Sequence, residues 1–176
     1  IIYSILSIII LILLNFSGVR LFNALNLSMT LVSGGGFLPT NSAEKIISSN
    51  FQKIIFILAL FSSMLNFYLI FNLFNKNVLI KEHKEDLYLI ILSLVFCLLI
   101  YFNNTEGLDL IISVVSSLAN SGLSIAESNN NLSLYFLLIT IIGGSLISNT
   151  SGIKLTRFYI LLKIISLEII KLISPN

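Results

Sequence analysis

The sequence predicts an all-α membrane protein built from two repeated units, each running span, half-length helix, glycine turn, polar loop, span. Three observations predict it. Hydrophobic residues make up 56% of the 176-residue chain and charged residues only 10%, against roughly 25% charged in a typical soluble domain. Apolar runs long enough to approach the 30 Å hydrocarbon thickness recur along the chain. Two further runs are too short to cross, and each leads directly into glycine. The composition excludes other classes as well. A formal net charge of +2 leaves no basic footprint for nucleic acid, and the single Cys excludes an internal disulfide framework or a Cys-based zinc cluster.

Taken in order, Ile1 to Leu14 reads as the tail of a longer span, which makes the chain part of something larger. Leu21 to Leu31 has 11 residues, about 16 Å as a helix, and reaches half way across. Ile54 to Phe74 is a 21-residue run interrupted by Ser62, Ser63, Asn66 and Asn72, and it reads as a full span with its asparagines facing protein. Leu87 to Phe102 is a shorter span bounded by Asp86 and Asn103. Leu108 to Leu118 is the second half-length run. Leu132 to Ile147 is another span, broken by Gly143-Gly144 and by the small, polar stretch Ser148 to Gly152. Leu155 to Ile173 closes the series, with Lys163, Glu168 and Lys171 spaced along it.

The two half-length runs define an internal repeat. A shift of 86 residues puts Gly36 on Gly122, Phe37 on Leu123 and one short run on the other. It divides the chain into units 1–80 and 81–176. Both half-helices are expected side by side, dipping in from one face. On that face lie Arg20, Lys45 and Lys53 with Glu44, Glu106, Asp109 and Glu127. The opposite face holds Lys76, Lys81, Lys84, Lys154, Arg157, Lys163 and Lys171 with Glu82, Glu85, Asp86 and Glu168. Seven basic residues against three make the second face cytoplasmic.

A half-helix entering from outside aims its negative C-terminal end at the membrane centre, where it stabilises a cation. Ser33, Gly34, Gly35 and Gly36 in one unit, and Ala119, Asn120, Ser121 and Gly122 in the other, can then return outward with carbonyls turned to one axis, since glycine accepts positive φ. Neither segment carries an ionisable side chain, so the ion is monovalent; divalent sites recruit carboxylates. Residues 148 to 152 are expected to be non-helical, between a helix ending near Ile147 and another starting near Lys154, beneath those turns.

These residues carry a resemblance. Leu-Val-Ser-Gly-Gly-Gly-Phe (31 to 37) resembles the selectivity-filter turn of the bacterial Trk/Ktr-type potassium-uptake membrane subunits. Ile142-Gly-Gly-Ser, Ser-Asn-Thr-Ser-Gly-Ile-Lys-Leu-Thr-Arg (148 to 157) and Glu168 to Asn176 resemble the end of that family's third pore-loop unit. The chain then corresponds to the second and third of four units of a potassium-channel-like fold. The resemblance implies K⁺ uptake, in the symport class, with K⁺ at the carbonyls of residues 33 to 36 and 119 to 122 and no cofactor. It also implies a gate loop made of Gly143, Gly144, Ser148, Asn149, Thr150, Ser151 and Gly152, with Lys154 and Arg157 as basic inner-face residues. A homodimer or the missing first and fourth units, a cytosolic nucleotide-binding regulatory subunit and a multi-pass location in the bacterial inner membrane follow from it too. The sequence departs from the family where Ile147, Thr150 and Ser151 replace usual glycines, and where Asn120-Ser121 replaces Thr-Thr.

Two other readings compete: a non-conducting or assembly-only piece of such a transporter, and a different re-entrant-loop channel. Nothing favours an enzyme. His83 reads as a solvated loop residue and Cys97 as packing. Gly34-x-Gly36 lacks the third glycine of a dinucleotide turn, and Gly152-Ile-Lys-Leu is no phosphate loop.

Overall fold

The structure, a computed structural model, describes residues 2–40, 42–69, 84–101, 107–125 and 133–173. Its named α-helices are α1 (Ile2–Phe16), α2 (Leu21–Ser33), α3 (Asn50–Met64), α4 (Lys84–Tyr101), α5 (Gly107–Leu118), α6 (Ser133–Ile141) and α7 (Leu155–Ile173). Local chemistry sets several of their ends. Ser49 and Gln52 form a reciprocal capping box at the start of α3. The Gln52 amide also donates to the Ser17 carbonyl at 3.0 Å, which ties α3 to the end of α1. Gly34 closes α2 in the left-handed conformation, its N–H returning to Thr30.

The repeat is present in the packing. Helices α2 and α5 begin 86 residues apart, at Leu21 and Gly107. In the first unit α2 packs on α1 and α3; in the second, α5 packs on α4 and α6. Helix α3 also packs on α5, joining the units. The shared core there is dry: Leu27 and Leu31 of α2, Phe56 and Leu60 of α3, and Ile112, Val115 and Leu118 of α5 are fully buried in one cluster. Outward faces are apolar too, with Ile8, Leu13, Leu94 and Leu98 exposed. No residue of α7 is buried, and Tyr159, Leu162, Ile165 and Ile169 all lie open. An apolar exterior on a helical fold suits lipid better than water.

Three expectations need correction. Ile54 to Phe74 is not one helix: α3 stops at Met64, and Leu65 is extended at ψ 162° before helical turns resume at Phe67. Leu132 to Ile147 is shorter than expected, because α6 ends at Ile141. The half-helices α2 and α5 are not packed along their lengths; α3 lies against both, and only their C-terminal turns meet. Among the described residues no helix is long and apolar enough to cross a membrane. In α4 the first turn is taken by Lys84, Glu85 and Asp86, and α3 is cut short by the break after Met64. His83, Asn72, Glu106 and Glu127 lie outside the described residues.

Asp109, read in the sequence as a charge of the outer face, has a structural partner. Its carboxylate lies 2.6 Å from the Lys53 ammonium, with the two side chains 11% and 14% exposed. The pair links the first turns of α3 and α5, and so the two units. Removing one member of a buried pair leaves an uncompensated charge, at about 3 to 5 kcal/mol. Lys53→Met alone should therefore lower the thermal midpoint more than Lys53→Met combined with Asp109→Leu. A double-variant cycle on the purified protein measures the difference.

Candidate functional site

The two glycine turns repeat residue by residue. Gly34 has φ +66° and its counterpart Asn120 φ +54°; Gly36 has φ +69° and Gly122 φ +66°. Asn120 stands in the left-handed region, where Asn is among the few residues tolerated. Backbone pairing repeats as well: Gly35 N–H donates to the Thr30 carbonyl at 3.1 Å, and Ser121 N–H to the Ser116 carbonyl at 3.0 Å. A hydroxyl braces each turn from the preceding helix. Thr30 Oγ1 accepts from the Phe37 N–H at 2.8 Å, and Ser116 Oγ lies 3.0 Å from Ser121 Oγ. These two braces were missed in the sequence, although Thr30 and Ser116 are themselves 86 apart.

The turns meet. A Cβ added to Gly36 would collide with the Ser121 carbonyl oxygen, and one on Gly34 would lie 3.5 Å from the Ala119 carbonyl oxygen. The residues singled out in both segments, Ser33 to Gly36 and Ala119 to Gly122, are thus brought together with backbone carbonyls at their junction. The matching apolar residues diverge: Phe37 is 80% exposed and Leu123 2%.

Residues 142 to 154 form a non-helical loop, six residues longer at its start than expected. Its ends are pinched by a parallel bridge between Ile142 and Ile153, in which Gly143 N–H donates to the Ile153 carbonyl at 2.8 Å. The loop docks where α3 breaks. Ser145 N–H donates to the Met64 carbonyl at 3.0 Å, and Phe67 N–H to the Ile147 carbonyl at 3.0 Å. The remaining freed donor, Asn66 N–H, goes to Asp86 at 2.9 Å, and Asn66 itself caps the resumed turn by accepting from Tyr68 N–H. Glycine is required at two adjacent positions of the loop: a Cβ on Gly143 would strike the Ser151 carbonyl, and one on Gly144 would sit 2.6 Å from the Met64 carbonyl.

Two asparagines fasten the loop to the turns above it. Asn149 Nδ2 donates to the Val32 carbonyl at 3.0 Å, and Asn120 Nδ2 to the Ser151 carbonyl at 3.1 Å. Lys154 folds back into the loop, where its ammonium contacts the carbonyls and hydroxyls of Ser148 and Thr150. Arg157 does not join it and stays exposed on α7. Glu85, read in the sequence only as a charge of the cytoplasmic face, accepts from Leu146 N–H at 3.1 Å, and from the Thr156 N–H and hydroxyl at the start of α7. No sequence pattern pointed to it, because its partners lie 61 and 71 residues away.

Over 97% of its length the chain superposes on the crystal structure of the potassium transporter TrkH from Vibrio parahaemolyticus, with a TM-score of 0.84 and 20% identity. The fold is that of TrkH. The TrkH-like region covers 40% of that protein. A curated relative from Methanocaldococcus jannaschii, described as an uncharacterized cation transporter, is 29% identical over the whole chain and 37% of its own length. No protein-family model matches. The chain thus spans about two fifths of both proteins, and both are transporters rather than enzymes.

The contact between turns yields a prediction. Gly122 has open space around its Cβ position, so Gly122→Ala should cost only the left-handed penalty, about 1 to 2 kcal/mol. Gly36→Ala adds a collision with the Ser121 backbone and should cost measurably more. The comparison is a pair of thermal midpoints. Equal losses would mean that the two turns do not touch.

Proposed function

We propose that this chain forms part of a monovalent-cation uptake path, with K⁺ as the ion, lined by the backbone carbonyls of Ser33 to Gly36 and Ala119 to Gly122. One observation carries the reading: two turns with the same left-handed positions, at 34 and 36 and at 120 and 122, abut at their carbonyl-bearing edges. Support also comes from the chemistry of those segments, which offers an ion oxygens but no carboxylate. The fold of a potassium transporter and the relationship to a cation transporter point the same way.

The path is closed on its inner side by the loop 142 to 154, which acts as a gate. Two turns surround an ion only half way. The unreduced cost of stripping a charge of water is on the order of 20 kcal/mol, so the path needs two more turns, from additional units or a second chain. In the same reading the protein is multi-pass in the cell membrane, and a cytosolic nucleotide-binding subunit regulates it at the face bearing Lys154 and Arg157.

Potassium-uptake-deficient cells test this. The chain alone should give no K⁺ uptake, and uptake should appear when partner units complete the ring. In that complete assembly Gly36→Val should abolish selective uptake, because a β-branched residue is strained at φ +69°. Unchanged selectivity in the Gly36→Val protein would remove the filter from this position.

A further inference from the structure

We propose that Ser148 and Thr150 build a second monovalent-cation site, an oxygen cage beneath the filter turns that the chain fills with its own Lys154 ammonium. Four oxygens surround Nζ: the Ser148 carbonyl at 3.0 Å, Ser148 Oγ at 3.1 Å, Thr150 Oγ1 at 3.2 Å and the Thr150 carbonyl. The hydroxyl protons are committed elsewhere. Ser148 Oγ donates to the Ser145 carbonyl at 2.7 Å. Thr150 Oγ1 accepts from the Gly144 N–H at 2.8 Å. The 2.9 Å contact between the two hydroxyls is then donated by Thr150. All four oxygens are left presenting lone pairs to one point, which is what a bare cation requires.

An ammonium has three protons for four oxygens, whereas an alkali cation has no directional preference and satisfies all four. K⁺, Rb⁺ and NH₄⁺ are close in size to the lysine head group, so they are the class of ion the cage takes. No carboxylate belongs to the cage, which matches a monovalent ion. Glycine lets the loop close around the cage: a Cβ on Gly144 would lie 2.6 Å from Thr150 Oγ1 and 2.8 Å from Ser148 Oγ. The cage is also held in position, since Asn149, between the two cage residues, donates to the Val32 carbonyl in the last turn of α2. The choice of ion rests on the transport reading, but the site itself is a binding claim and is tested without flux.

Lys154→Met keeps the stem up to the atom before the ammonium and leaves the cage free for an ion from solution. The full chain, extracted from membranes with its assembly partners, is melted in KCl and in N-methyl-D-glucamine chloride at equal ionic strength. The Lys154→Met protein should melt roughly 2 to 4 °C lower in N-methyl-D-glucamine and recover in K⁺, Rb⁺ or NH₄⁺. The wild-type protein should respond much less to the same exchange of salts, and adding Ser148→Ala to Lys154→Met should remove the recovery. Lys154→Arg, which carries its own charge into the cage, should show none. An Lys154→Met midpoint indifferent to the salt, or a wild-type response as large as the variant's, would overturn the proposal. So would a recovery that survives Ser148→Ala. A salt-dependent recovery in an assembly that transports no K⁺ would uphold the cage and remove the transport reading instead.

Discussion

A backbone N–H or C=O held away from water without a partner costs several kcal/mol, and in a dry interior only protein can supply that partner. Everything irregular in this fold answers to that constraint. The break in α3 frees the Met64 carbonyl and the N–H groups of Asn66 and Phe67. The loop 142 to 154 has the same difficulty over a longer stretch. Each relieves the other, through Ser145 to Met64 and Phe67 to Ile147. Neither irregularity would be tolerable alone, which is why a 21-residue apolar run such as Ile54 to Phe74 stops being a helix where the loop arrives.

The same accounting explains the mixture of residues at the centre. Glycine is used where two backbones have to touch, as at Gly36 against Ser121 and Gly143 against Ser151. Asparagine is used where a left-handed position also needs a side-chain donor. Asn120 fills both roles, at φ +54° and with its amide on Ser151. Asn at this turn position thus substitutes a direct bond to the loop for the conformational freedom of glycine. Together with Asn149, whose amide reaches Val32 at the end of α2, it ties the loop to both turn regions.

Charged residues take on different work from that of topology markers. Lys154 and Glu85 hold the loop from two sides, one inside its curve and one at Leu146 and the start of α7. Because α7 has no buried residue, the Glu85 contacts at its first turn stand in for the packing that anchors the other helices. Lys53 and Asp109 hold the opposite ends of α3 and α5. Arg157, one turn from Lys154, remains outside this network.

The sequence by itself determined the elements whose signal is local. The bounds of α1, α2, α5 and α7 follow from apolar run length, and the turns after α2 and α5 follow from glycine and asparagine, whose conformational preferences need no partner. The 86-residue spacing also determined that the turns correspond, down to Gly36 and Gly122. Tertiary structure alone decided the rest. Where α3 and α6 end depends on hydrogen bonds exchanged with the loop 142 to 154, and hydropathy, which counts side chains, is blind to a carbonyl waiting on another segment. The roles of Glu85 and Asp109 were hidden for the same reason: a charge reads as an interface residue until the fold sets its partners, far away in sequence, within reach.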